Sequence, residues 1–131
     1  MTLKEVKQIL GCEVLSGEDR LDTEVKTGCG CDMMSDVLAF IKADSLLLTG
    51  LTTRQTIRTA QVADIRAVVF VRGKRPDADT VALAREMGLP LMVTDLLLYE
   101  ACGRLYGNGL PGCGGESKAD LPQRACGTAG G

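Results

Sequence analysis

Histidine and tryptophan are absent from this 131-residue sequence, and two tyrosines and two phenylalanines are its only aromatic residues. Without histidine, Ser-His-Asp and Cys-His catalysis are excluded, and the commonest transition-metal ligand is missing. No apolar run approaches the length of a membrane-spanning helix. There is no Walker phosphate loop, and no dinucleotide-binding fingerprint set between a strand and a helix. A net charge of −2 offers neither a basic field for nucleic acid nor a polybasic patch for membranes, so neither partner is expected. The start of the chain, Met1 to Lys7, alternates charged and apolar residues and does not resemble an export signal. A cytoplasmic location is therefore expected, where the six cysteines would stay reduced rather than form a disulfide framework.

What is present is a core of branched aliphatics. Apolar residues make up 45% of the chain, mostly Leu, Val, Ala and Ile, which suits a parallel sheet covered by helices. Thr2 and Glu5 have the spacing of a capping box for a helix carrying Leu3, Val6, Ile9 and Leu10, and Gly11 stops it. A short strand is predicted over Cys12–Leu15, a turn over Ser16–Asp19 and a second strand over Asp22–Thr27. Gly28–Cys31 reads as a loop, with Asp32 as N-cap of a helix that turns Met34, Val37, Leu38 and Ile41 inward. Ser45–Leu48 reads as a buried strand; Thr52 or Thr53 then caps a helix with Ile57, Ala60, Val62 and Ala63 inward. Ala67–Val71 is the strongest strand, and Pro76 and Gly88 bracket a helix that carries Val81, Leu83, Ala84 and Met87. Leu91–Val93 forms a further strand, and Leu96–Tyr106 a last helix that is apolar around much of its girth. Repeated strand–helix units imply an α/β fold: a small, three-layer-like domain with a mainly parallel sheet flanked by helices. Residues 1–110 make up that domain, and residues 111–131, rich in glycine and poor in large apolar side chains, are expected to be a flexible tail.

In such sheets, ligands bind outside the carboxyl ends of the strands. The loops there carry Thr49, Gly50, Thr52, Thr53, Arg54, Arg72, Gly73 and Asp95, with Lys74 and Arg75 adding charge. Hydroxyls, flexible backbone and cations beside helix N-termini suit a small anionic or nucleotide ligand. The same residues also serve as caps and turns. Cys29-Gly30-Cys31 is too tightly spaced for a zinc knuckle, so no metal or cofactor is expected. A second reading makes Cys29 and Cys31 a redox pair. A four-thiolate site for zinc or an iron–sulfur cluster would need Cys12, Cys29, Cys31 and one other, and Cys113 or Cys126 could join only if the tail folds back. Asp32, Asp36, Asp77 and Asp79 stand in first helical turns, where carboxylates serve caps and dipoles.

From Asp32 to Tyr106 the sequence resembles the DRTGG domain family. The likeness rests on Asp32–Ala39, Ser45–Thr52, Ala67–Asp77, Gly88–Leu91 and Tyr99-Glu100. Related domains accompany HPr kinase/phosphorylase, phosphotransacetylases and CBS domains, or stand alone beside iron-only hydrogenases. The resemblance implies an α/β fold, self-association as a homodimer, and a non-catalytic regulatory role with a hydrogenase-related or kinase-related protein partner. The residues that name the family are altered: Thr52-Thr53-Arg54 stands near the Asp-Arg-Thr segment, and Arg72-Gly73 keeps one of the paired glycines.

Overall fold

The computed structural model of the chain describes residues 1–113. Five strands, β1 (Glu13–Ser16), β2 (Thr27–Gly30), β3 (Ser45–Thr49), β4 (Ala67–Phe70) and β5 (Leu91–Val93), form one sheet in the order β1-β5-β4-β3-β2. β2 to β5 are parallel, and β1 joins the β5 edge antiparallel. Helices α1 (Leu3–Leu10) and α5 (Leu98–Gly107) cover one face; α2 (Met34–Phe40), α3 (Arg54–Val62) and α4 (Ala78–Met87) cover the other. The expected three-layer α/β arrangement is the one the chain adopts.

Both faces are covered, so successive strand residues feed opposite cores. Leu46, Leu48, Ala67, Val69 and Met92 pack with Leu3, Val6 and Leu105 on the α1/α5 side. Leu47, Val68, Phe70, Leu91 and Val93 pack with Val37, Ile57, Ala60 and Ala84 on the other. This is why the strands read as unbroken apolar runs. The capping box at Thr2 and Glu5 is present, and Gly11 and Gly88 end α1 and α4 in the left-handed region.

Several boundaries differ from the sequence reading. β2 lies over Thr27–Gly30, from the last residue of the predicted strand into the segment read as a loop, whereas Asp22–Lys26 contributes only an isolated Thr2–Glu24 bridge. Val62 is 74% exposed rather than inward, and Thr56 and Thr59 are buried in its place. Leu38 likewise faces out. α4 begins at Ala78, two residues after Pro76, and the Asp77 carboxylate caps it as expected of a first-turn acid, accepting from the Thr80 amide at 2.8 Å. Pro111 to Cys113, read as the start of the tail, run beside β2: the Gly28 amide donates to the Pro111 carbonyl, and the Cys113 amide to the Gly28 carbonyl. The rest of the expected tail lies outside the described residues. Among those residues, no helix is long and apolar enough to cross a membrane.

Candidate functional site

The carboxyl ends of β3, β4 and β5 bring together five of the eight residues expected there: Thr49, Gly50, Arg72, Gly73 and Asp95. A methyl group on Gly50 would lie 2.6 Å from the Arg72 guanidinium, so the glycine is what admits that side chain. Arg72 is left-handed (φ 61°), a conformation that non-glycine residues adopt only when their surroundings impose it. Here its amide donates to the Leu96 carbonyl and that of Gly73 donates to the Thr94 carbonyl, both at 2.8 Å, which fastens the exit of β4 to that of β5. Gly73 is also left-handed (φ 65°), and the Asp95 carboxylate stands 3.0 Å from where its Cβ would be.

Asp32 organises the turn after β3. Its Oδ1 accepts from the Thr49 hydroxyl at 3.0 Å and from the Gly50 amide at 2.7 Å. It does not cap α2, whose N-cap is Met33 without a side-chain bond. The donors expected to reach a ligand from Thr49 and Gly50 are thus already engaged by a carboxylate. Thr49 itself is buried and also accepts from the Leu51 amide at 3.1 Å. Thr52 and Thr53 lead into α3; Thr53 is its N-cap but makes no side-chain cap bond, and no acidic residue stands in the first turn. Arg54 lies near Asp77, whose carboxyl is held below its usual range chiefly by the Thr80 amide and hydroxyl, with Arg54 adding to the effect. Arg75 is committed elsewhere, in a bidentate pair with Glu13. Among the described residues Arg54 and Arg72 form no ion pair.

Concavity at this edge is slight. From β2 to β5 the strand order never reverses, so the sheet lacks the crevice that opens where it does. A shallow depression of about 420 Å³ remains, lined by Asp32, Met33, Met34, Ser35, Leu51 and Gln55. A larger hollow, of about 580 Å³, lies instead between β2 and α5, floored by Leu48, Leu105 and Leu110 and rimmed by Tyr99 and Tyr106. Sequence reasoning missed it. The signal was the alternation of Gly28 and Gly30, which present no side chain toward α5: a methyl on Gly30 would lie 2.5 Å from the Cys102 sulfur. Among the described residues, no group of three or more Cys, Asp or Glu is placed to hold a metal.

The chain has no match among curated proteins. Among solved structures it is similar to the CBS and DRTGG domains of the regulatory region of Clostridium perfringens pyrophosphatase, complexed with its activator diadenosine tetraphosphate. The TM-score is 0.67 at 16% sequence identity, over 98% of this chain and 59% of that one. The DRTGG domain family itself matches residues 5–106, nearly the whole of the described fold. By that match, the chain belongs to the DRTGG domain family.

Proposed function

We propose that this protein is a non-catalytic regulatory module whose carboxyl sheet edge binds a small anionic or nucleotide ligand. The observation that carries the reading is Arg72, held in a left-handed conformation over Gly50, beside the N-terminus of α3, where neither a side-chain cap nor an acid is present. Unpaired amides and partial positive charge at a helix start favour phosphates and carboxylates, and an arginine in reach adds bidentate contacts. The similar pyrophosphatase region is described with a nucleotide activator, which accords with this ligand class. Because Asp32 occupies the Thr49 hydroxyl and the Gly50 amide, the ligand's contacts fall to Thr52, Thr53, Arg54, Arg72 and the Gly73 backbone. Asp95, beside Gly73, would accept from a ligand hydroxyl.

A thermal-shift screen of nucleotides and acyl phosphates identifies the ligand, since saturation at 100 times Kd adds about 2.7 kcal/mol. Titration of that ligand is expected to show at least a tenfold loss of affinity in Arg72→Ala, because charge-assisted bonds contribute about 1.5–3 kcal/mol. Arg54→Ala and Gly50→Val are expected to weaken binding too, the valine by pushing the Arg72 guanidinium aside. Unchanged affinity in all three folded variants would place the ligand elsewhere.

The homodimer is part of the same proposal. Leu97, Tyr99 and Tyr106 stand exposed on or beside α5, Tyr99 at 86%, and a second copy would cover them. Light scattering at micromolar concentration is expected to give twice the chain mass, and Tyr99→Asp with Tyr106→Asp to return it to the monomer value. A monomer mass for the unaltered protein would rule the dimer out.

A further inference from the structure

We infer that Cys29 and Cys113 are the two halves of a reversible disulfide latch, which fastens the segment after α5 to the outer edge of β2. Gly112 pairs with Gly28 in a parallel bridge, held by the Gly28 amide on the Pro111 carbonyl (2.8 Å) and the Cys113 amide on the Gly28 carbonyl (3.2 Å). One residue further along each segment, Cys29 stands opposite Cys113. Opposed residues of a parallel pair project to the same face, and adjacent strands lie about 4.8 Å apart, within the roughly 4.4–6.8 Å between Cα atoms that a disulfide spans. The Cys113 thiol lies near enough to that of Cys29 to help raise its pKa.

None of the other described cysteines competes. Cys31 follows Cys29 by two residues at the end of an extended strand, which separates their Cα atoms by about 6.6 Å and their Cβ atoms by more than a disulfide allows. Its sulfur is engaged with the Met33 backbone at 3.4 Å. The pairing of Cys29 with Cys31 read from the sequence is thus replaced by one with Cys113. Cys102 lies on the opposite face, against Gly30. Cys12 is buried under α1, and burial pushes its thiol up to about 12.

With oxidised glutathione as oxidant, one cysteine thiolate attacks the reagent's S–S bond, forming a mixed disulfide and releasing one glutathione. The second cysteine thiolate attacks the sulfur of the first, forming the Cys29–Cys113 bond and releasing the other glutathione. Two electrons pass from the cysteine pair to the reagent, and both thiol protons end on glutathione. Burial, aided by the neighbouring Cys113 thiol, pushes the Cys29 thiol up to about 12, so closure is slow and the incubation runs for hours. The latch would fix Pro111 and Gly112, which wall the hollow between β2 and α5.

The test oxidises the full chain with glutathione disulfide and maps tryptic peptides without reduction. Cys29 and Cys31 share the peptide 27–42, while Cys12, Cys102, Cys113 and Cys126 each fall in separate ones. The expected product joins peptide 27–42 to peptide 105–118. It persists in Cys31→Ser and Cys126→Ser and is lost in Cys29→Ser and Cys113→Ser. The oxidised protein should melt on the order of 10 °C higher, because the closed loop is long, and dithiothreitol should reverse the shift. A link within 27–42, a link from it to any other peptide, or glutathione adducts alone would overturn the assignment.

Discussion

Phe70→Ala is expected to lose about 3–5 kcal/mol of unfolding free energy, the range for emptying a buried aromatic site. Phe70 is fully buried at the end of β4, aligned with Thr49 on one side and Val93 on the other. Its ring fills the layer beneath α3 and α4, and no neighbouring aromatic is there to collapse into the space. Small domains have only about 5–15 kcal/mol in total, so this one truncation removes a large share. Phe40 supplies the control: it is 69% exposed, and its alanine variant should change stability by under about 0.5 kcal/mol. Urea titration measures both, with the midpoint falling and the slope constant. A loss below about 1 kcal/mol for Phe70→Ala would mean that the α2–α4 layer is not packed on the sheet as described.

Gly17→Val should be comparably severe, on the order of 4 kcal/mol, through two additive causes. Gly17 is left-handed (φ 78°), which a β-branched residue adopts only under strain, and a Cβ there would lie 2.7 Å from the Cα and Cβ of Pro90. Pro90 leads into β5 and cannot retreat without disturbing the sheet. Gly11 separates the two causes: its φ is 64°, but nothing stands within 4 Å of a Cβ there. Gly11→Ala should therefore carry only the conformational term, about 1–2 kcal/mol. Equal losses at the two glycines would show that contact with Pro90 contributes nothing.

Legibility in the sequence followed the range of the interactions. Ser45–Thr49 and Ala67–Phe70 were readable because burial on both faces leaves an unbroken apolar run, and α1 because its capping box is local. β2 was not readable. Two of its four residues are glycine, which lowers strand propensity, and pairing with β3 along its length holds it extended. Asp32 sits where a cap belongs, yet its partners are Thr49 and Gly50, residues 17 and 18 further on; only the folded sheet brings them into reach. The same holds for Arg75, whose cationic end is taken by Glu13 from the far edge strand. Loop logic located Gly50, Arg72, Gly73 and Asp95 correctly at one end of the sheet. It could not reveal that the strand order lacks a reversal, and hence that the edge is nearly flat.

The antiparallel edge strand β1 has a consequence for how the chain is made. It hydrogen-bonds only to β5, and the anchoring bond from the Ser16 hydroxyl to the Leu89 carbonyl joins residues 73 apart. The cap on the far side of α1, from the Thr94 hydroxyl to the Leu10 carbonyl, spans 84. Residues 1–16 are synthesised before residues 17–113, and although Leu21, Thr23 and Val25 meet α1 early, the strand partner of β1 comes late. Early loop closure over such distances is entropically unfavourable, so β2, β3 and β4 can pair while β1 still waits. Until Leu91–Val93 emerges, β1 has no strand to pair with, and the apolar residues around it are a surface that chaperones would see.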